Sequence, residues 1–140
     1  MAAARHLKFS IIIRSLPSSP VARAVTLLPQ RPDSIVLVDA GPGGRSVHRP
    51  LEHVEGFVTQ GKRVVYLVRQ GVTLQEAGKG PGIFDYALAI IIWHEMAHVD
   101  GADEAHARRE EEALWQEYVV EGRVDAYRGL KYLKLLQARR

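Results

Sequence analysis

The chain has 140 residues, enough for one domain with a modest core, and its 46% hydrophobic and 25% charged residues are ordinary for a globular protein. Its net charge is +3, much of the excess being Arg123, Arg128, Lys131, Lys134, Arg139 and Arg140, which reads as a solvated helix end rather than a nucleic-acid surface. There is no Cys, which excludes disulfides and thiolate-bound zinc.

In chain order, the Ile-rich stretch Leu7 to Arg14 predicts a strand. Ser19-Pro20 is a helix start, Ser as cap and Pro as first helical residue, and a short helix follows from Val21 to Leu28, stopped near Pro29. Ser34 to Asp39 predicts a buried strand, followed by the loop Ala40-Gly41-Pro42-Gly43-Gly44. That loop is no phosphate cradle: it lacks the Gly-Lys-Ser/Thr ending, and Pro42 removes an amide donor. Leu51, Val54 and Val58 have helical spacing between Pro50 and Thr59, with an end near Gly61. Arg63 to Arg69 predicts a third strand, and Gly71 to Gly82, with four glycines and a proline, a loop holding at most one helical turn.

A long helix is then predicted from about Phe84 to Val99, broken at Gly101. A second runs from a cap at Asp103 to about Val120, and Gly122 interrupts it. A last helix, about Val124 to Gln137, would carry Tyr127, Leu130, Leu133 and Leu136 on one side. Strands mixed with helices come first and three helices last. The expectation is an α+β fold with a mixed sheet of three or four strands. The apolar stretches Phe9–Ile13 and Ala87–Trp93 fall far short of the roughly 20 residues of a membrane span, and the first is too short for a signal-peptide core. The expected protein is therefore cytoplasmic, with no membrane or nucleic-acid partner.

The first long helix contains His94-Glu95-Met96-Ala97-His98, an H-E-x-x-H motif. Positions i and i+4 lie on one helical face, so two imidazoles can share one Zn²⁺. The Glu between them can act as general base on a water and then shuttle its proton. Ala87, Ile90, Ile91, His94 and His98 fall on one face, so the His pair continues the apolar stripe. Solvated histidines belong opposite such a stripe. The chemistry suggested is metal-assisted hydrolysis of an amide bond.

On His94, Glu95 and His98, their apolar lead-in and the Glu-rich helix after a Gly, the chain resembles the zincin superfamily of metallopeptidases over about residues 83–125. The resemblance implies one zincin-like domain spanning 1–140, with a small mixed sheet packed on the active-site helix. It also implies a peptide or protein substrate lying along an edge strand, for which Arg63 to Arg69 is the candidate.

A catalytic zinc wants three protein ligands and an open position, and three acids compete for the third place. Gly101 and Glu104 fall in the glycine and last-ligand slots of the metzincin pattern H-E-x-x-H-x-x-G-x-x-H, although that slot normally holds His or Asp and no Met follows for a Met-turn. Glu121 and Asp125 resemble the gluzincin E-x-x-x-D element, but Glu121 lies about 25 Å along a helix from the turn. If the two helices fold back antiparallel about Gly101, the level of the two His matches residues 109–111, and Glu111 shares the inward face of Ala107, Leu114, Trp115 and Tyr118. Glu111 is therefore the preferred third ligand, with Glu121 and Glu104 as alternates. His106 is a further possible ligand or oxyanion donor more readily read as exposed, and Tyr118 and Tyr127 are possible oxyanion donors more readily read as packing aromatics. The expectation is a zinc metallopeptidase with Glu95 as base. The alternative is a non-catalytic zincin-like module that binds metal or a partner.

Overall fold

The computed structural model describes residues 5–8, 19–39, 55–59 and 61–139, with side chains for all of these but 5–8 and 135–139. Its elements run β1 (Arg5–Lys8), α1 (Pro20–Thr26), β2 (Ile35–Asp39), β3 (Gly56–Phe57), β4 (Val65–Val68), α2 (Val72–Ala77), α3 (Ile83–Val99), α4 (Glu104–Val120) and α5 (Ala126–Arg139). The fold class is α+β, as expected. None of the described helices is long and apolar enough to cross a membrane.

The sheet is mixed, in the order β1-β2-β4-β3. β1 pairs antiparallel with β2 (Arg5 opposite Asp39), β2 parallel with β4 (Ile35 opposite Val65), and β3 antiparallel with β4 (Phe57 opposite Tyr66). Side chains alternate across a strand. Ile35, Val65 and Leu67 therefore join the helical core, while Val36, Val38 and Tyr66 form a second cluster in which Tyr66 stacks on Phe57 at 5.0 Å.

Three local expectations change. The stretch Arg63 to Arg69 is no edge: β4 lies between β2 and β3, and β3 is the outer neighbour. The helix expected over 50–59 is, in its described part, the extended strand β3, because the backbone of that segment completes the β4 ladder (Val68 N donates to Glu55 O at 3.0 Å). The remainder, 50–54, lies outside the described residues, as does most of the first expected strand, 9–14. Gly71 to Gly82 contains a six-residue helix, α2, longer than one turn. Its cap, Gly71, has no side chain, and Glu55 from a distant part of the chain supplies the missing acceptor to Thr73 N and Thr73 Oγ1, both at 3.1 Å.

Helix α3 is the centre of the molecule. Ala87, Leu88, Ala89, Ile90, Ile91 and Ile92 are consecutive and all buried, so the helix is covered on every side rather than along one stripe. Each buried Ile or Leu contributes about 1.5–3 kcal/mol. The helix ends in a Schellman motif: Ala102 N donates to Ala97 O (2.9 Å), Gly101 N to His98 O (3.0 Å), and Gly101 takes φ +98°. The chain then restarts at once, with Asp103 capping α4 through His106 N (2.8 Å).

The result is an antiparallel hairpin. His98 meets Glu104, His94 meets Glu111 and Tyr86 packs on Tyr118, so one helix descends as the other ascends. At the far end Gly122 (φ +74°) closes a second Schellman motif and α5 turns back, anchored by Trp115 Nε1 donating to Gly129 O at 2.8 Å. Among the described side chains of α5, Leu133, as expected, and its partly buried neighbour Tyr132 face the core, while Tyr127 and Leu130, also expected on the packed stripe, are exposed; the Leu136 side chain lies outside those described.

Candidate metal centre

Helix α3 delivers both histidines of the motif to the hairpin seam. His94 is buried and His98 partly so, and their rings meet edge to face with centroids 4.9 Å apart. The turn at Gly101 is short enough that Glu104, in the first turn of α4, reaches back to both. Its Oε1 lies 3.1 Å from His94 Nε2 and 2.9 Å from His98 Nε2. Ligand atoms of His94, His98 and Glu104 all lie within 4.8 Å of one another, the one such group among the described residues.

The outward faces of both rings are committed. His98 Nδ1 lies 2.9 Å from Ala102 O, and a carbonyl only accepts, so Nδ1 carries the hydrogen. His94 Nδ1 lies 2.7 Å from Glu111 Oε1 and likewise donates to a carboxylate. With a hydrogen on each Nδ1, both Nε2 atoms turn to one point shared with Glu104 Oε1: an Nε2 that also carries a hydrogen donates it to that oxygen, and one that does not offers a lone pair to a cation. Arg108, one turn along α4, holds the other oxygen, Glu104 Oε2, at 3.0 Å.

The electrostatics follow from this packing. Burial would lift the Glu104 carboxyl, but hydrogen bonds from Arg108 and His98 and the charge of His94 outweigh it and bring it down to about 2. For His98, burial acts to lower the pKa, yet Ala102 O, Glu104 and the nearby negative charge of Glu95 leave it raised.

Glu95 is buried at 5% exposure, on the flank of α3 that faces β3. That flank is close-packed: a Cβ on Gly56 would stand 3.0 Å from Tyr66 O and 3.5 Å from Glu95 Cγ. Glycine therefore lets the outer strand pass beside the motif's carboxylate.

Of the three candidate acids, the structure brings Glu104 together with both histidines. The hairpin, its level and the inward face of Glu111 are as argued, but Glu111 stands behind His94, on Nδ1, and the acid in front of both rings is Glu104. An imidazole carries a nitrogen on each side of its ring, so an acid level with the His pair can stand at either one. Glu121 is the exposed C-cap of α4, paired with Arg123 at 3.2 Å and remote from the cluster. His106 is exposed and lines a cavity of about 500 Å³ with Trp93, Met96, Ala97 and Arg109, on a different face of α3 from His94 and His98. Tyr118 is committed to Leu27 O (2.7 Å), and Tyr127 is exposed.

Two contributors escaped the sequence reading. Arg108 had a visible signal, its i,i+4 spacing from Glu104. Ala102 acts through its backbone, which no residue type advertises. Comparison with protein-family models, curated proteins and solved structures finds no match to this chain.

The donor set suits zinc. Two imidazole nitrogens and a carboxylate oxygen are its ordinary ligands, and a tetrahedral site with bonds of about 2.0–2.2 Å has edges of about 3.3–3.6 Å. The 2.9 and 3.1 Å separations are hydrogen-bond distances a few tenths of an ångström shorter than such edges, so an ion there would spread Glu104 from the two rings. Glu104 is half exposed, so the cluster opens to solvent on one side, where a fourth position could take water.

Proposed function

We propose that the protein is a zinc-dependent metallopeptidase of the zincin kind, with His94, His98 and Glu104 holding the metal and Glu95 as general base. One observation carries the reading: two Nε2 atoms and one carboxylate oxygen converge, while every other polar atom of the three ligand groups is already engaged. A structural zinc would want four ligands, whereas three with a solvent-open side suit catalysis.

Zinc bound there supplies Lewis acidity toward a carbonyl oxygen and acidifies water. Glu95 accepts a proton from the attacking water and returns it to the departing amine nitrogen. The Glu95 carboxylate is buried on the flank of α3 that faces β3. Glu104 and Arg108 fix the histidine pair against the α3–α4 turn, so the general base and the ligands ride on one rigid hairpin.

The test is elemental analysis together with hydrolysis of a quenched-fluorescent peptide library. One zinc per chain is expected, lost in His94→Ala and His98→Ala. Glu95→Gln should keep the zinc and lose turnover. Full metal in both His variants would place the site elsewhere. A second reading, a non-catalytic metal-binding module, draws on the same network, since Arg108 and the histidines satisfy Glu104 without an ion. Zinc uptake with no hydrolysis by wild-type protein would favour it.

A further inference from the structure

Glu111 is the most deeply buried acid among the described residues. It is 1% exposed, on the face of α4 that also carries Ala107, Leu114 and Trp115, and an ionised carboxylate there carries a large desolvation cost. Its Oε1 lies 2.7 Å from Nδ1 of His94, itself 3% exposed, so the pair is dry on both sides. A buried pair of this kind is weak evidence for stability, because apolar residues of similar volume usually serve the fold as well or better.

Resting on the zinc-site reading above, we infer that Glu111 is the positioning residue of that site. It holds His94 as the Nδ1–H tautomer, aims the lone pair of Nε2 at the point facing Glu104, and makes that nitrogen a stronger donor. His98 has only a neutral carbonyl, Ala102 O, in the corresponding role. The two ligands are therefore unequal: His94 is the buried, carboxylate-backed anchor, and His98 the more exposed, weakly backed one. Carboxylates behind ligating histidines strengthen metal affinity by about 10–100-fold.

Two variants separate charge from hydrogen bond. Glu111→Gln keeps an acceptor for Nδ1–H without the charge, and Glu111→Leu keeps volume without an acceptor. Three readouts apply to each: the zinc dissociation constant by chelator competition, the visible spectrum of the cobalt(II) form, and the His94 tautomer by nitrogen-15 NMR of the metal-free protein. The expected result is weakening of zinc by about 10-fold in Glu111→Gln and about 100-fold in Glu111→Leu. The cobalt(II) bands should shift in both, and the Nδ1–H tautomer should be lost in Glu111→Leu alone. A merely structural role would lower the melting temperature of the metal-free variants and leave the zinc affinity of folded protein and the cobalt(II) spectrum unchanged. Wild-type protein that binds zinc, with both variants binding equally well, overturns the positioning role alone. Wild-type protein that binds no zinc overturns the hydrolase reading and the positioning role together.

Discussion

Replacing the His94–Glu111 pair with apolar residues should leave the metal-free fold as stable as before or more so, whereas removing only Glu111 should damage it. Glu111→Ala strips the acceptor from a buried N–H, a loss of about 1–3 kcal/mol. It also deletes about four heavy atoms, leaving roughly 60–80 Å³ that at 24 cal/mol per Å³ adds about 1.5–2 kcal/mol. The total, about 3–5 kcal/mol, is the usual outcome of breaking a buried pair. With an unfolding entropy of about 2.1 cal/mol/K per residue, each kcal/mol shifts the melting point of a chain this long by about 3.4 °C, so Glu111→Ala should melt about 10–17 °C lower. His94→Leu combined with Glu111→Val has closely similar summed volume and no polar atom to satisfy, and should be unchanged or gain about 1–4 kcal/mol. The assay is thermal and urea unfolding in excess chelator, with both single variants completing the cycle. A double variant as unstable as Glu111→Ala would refute the reasoning. The pair would then be scaffolding, and its presence beside an H-E-x-x-H motif would need no metal to explain it.

Glu104→Ala should weaken zinc by roughly 10²–10⁴-fold in chelator competition, taking about 10–16 kcal/mol of site energy shared over three protein ligands, while Glu121→Ala should leave affinity unchanged. Tyr118→Phe loses the bond to Leu27 O and should cost about 0.5–1.5 kcal/mol at neutral pH. Burial, helped by Tyr86, Glu117 and Glu121 against Arg123, raises the folded-state pKa of Tyr118. The stability tied to its protonated form is therefore fully present below the ordinary tyrosine value near 10 and is lost as pH rises from there toward the folded value, so the variant should show a flatter decline above about pH 10 in urea titrations. Gly129→Ala should destabilise by about 1 kcal/mol, since the added Cβ would meet Val124 Cγ1 at 2.7 Å and Trp115 Nε1 at 3.1 Å, an overpacking larger than the gain of about 1 kcal/mol in helix propensity; a rise in melting temperature would show that α5 yields at that contact.

Much of the architecture was legible along the chain because local rules act locally. Ser19-Pro20 starts α1, Asp103 caps α4, and Gly101 and Gly122 stand where the left-handed turn of a helix end is needed. The i,i+4 spacing of His94 and His98 is enough to set them on one face of α3. The part that misled was 50–59, whose helix-like spacing yields, over its described residues, to the ladder with β4, an interaction with residues about ten positions away that no local pattern records. The same is true of α2, too short and too poorly capped to stand alone until Glu55 reaches it.

For the site, the amino-acid sequence by itself determined the motif, the hairpin and the inward face that holds Glu111. Only the tertiary structure decided which acid stands in front of the histidines and which behind. That choice turns on ring orientation: the two nitrogens of an imidazole are about 2 Å apart and identical in the one-letter record, and their roles are assigned by the hydrogen bond that each makes. Ala102 O and Glu111 take the Nδ1 sides, and Glu104, held by Arg108, is left facing both Nε2 atoms.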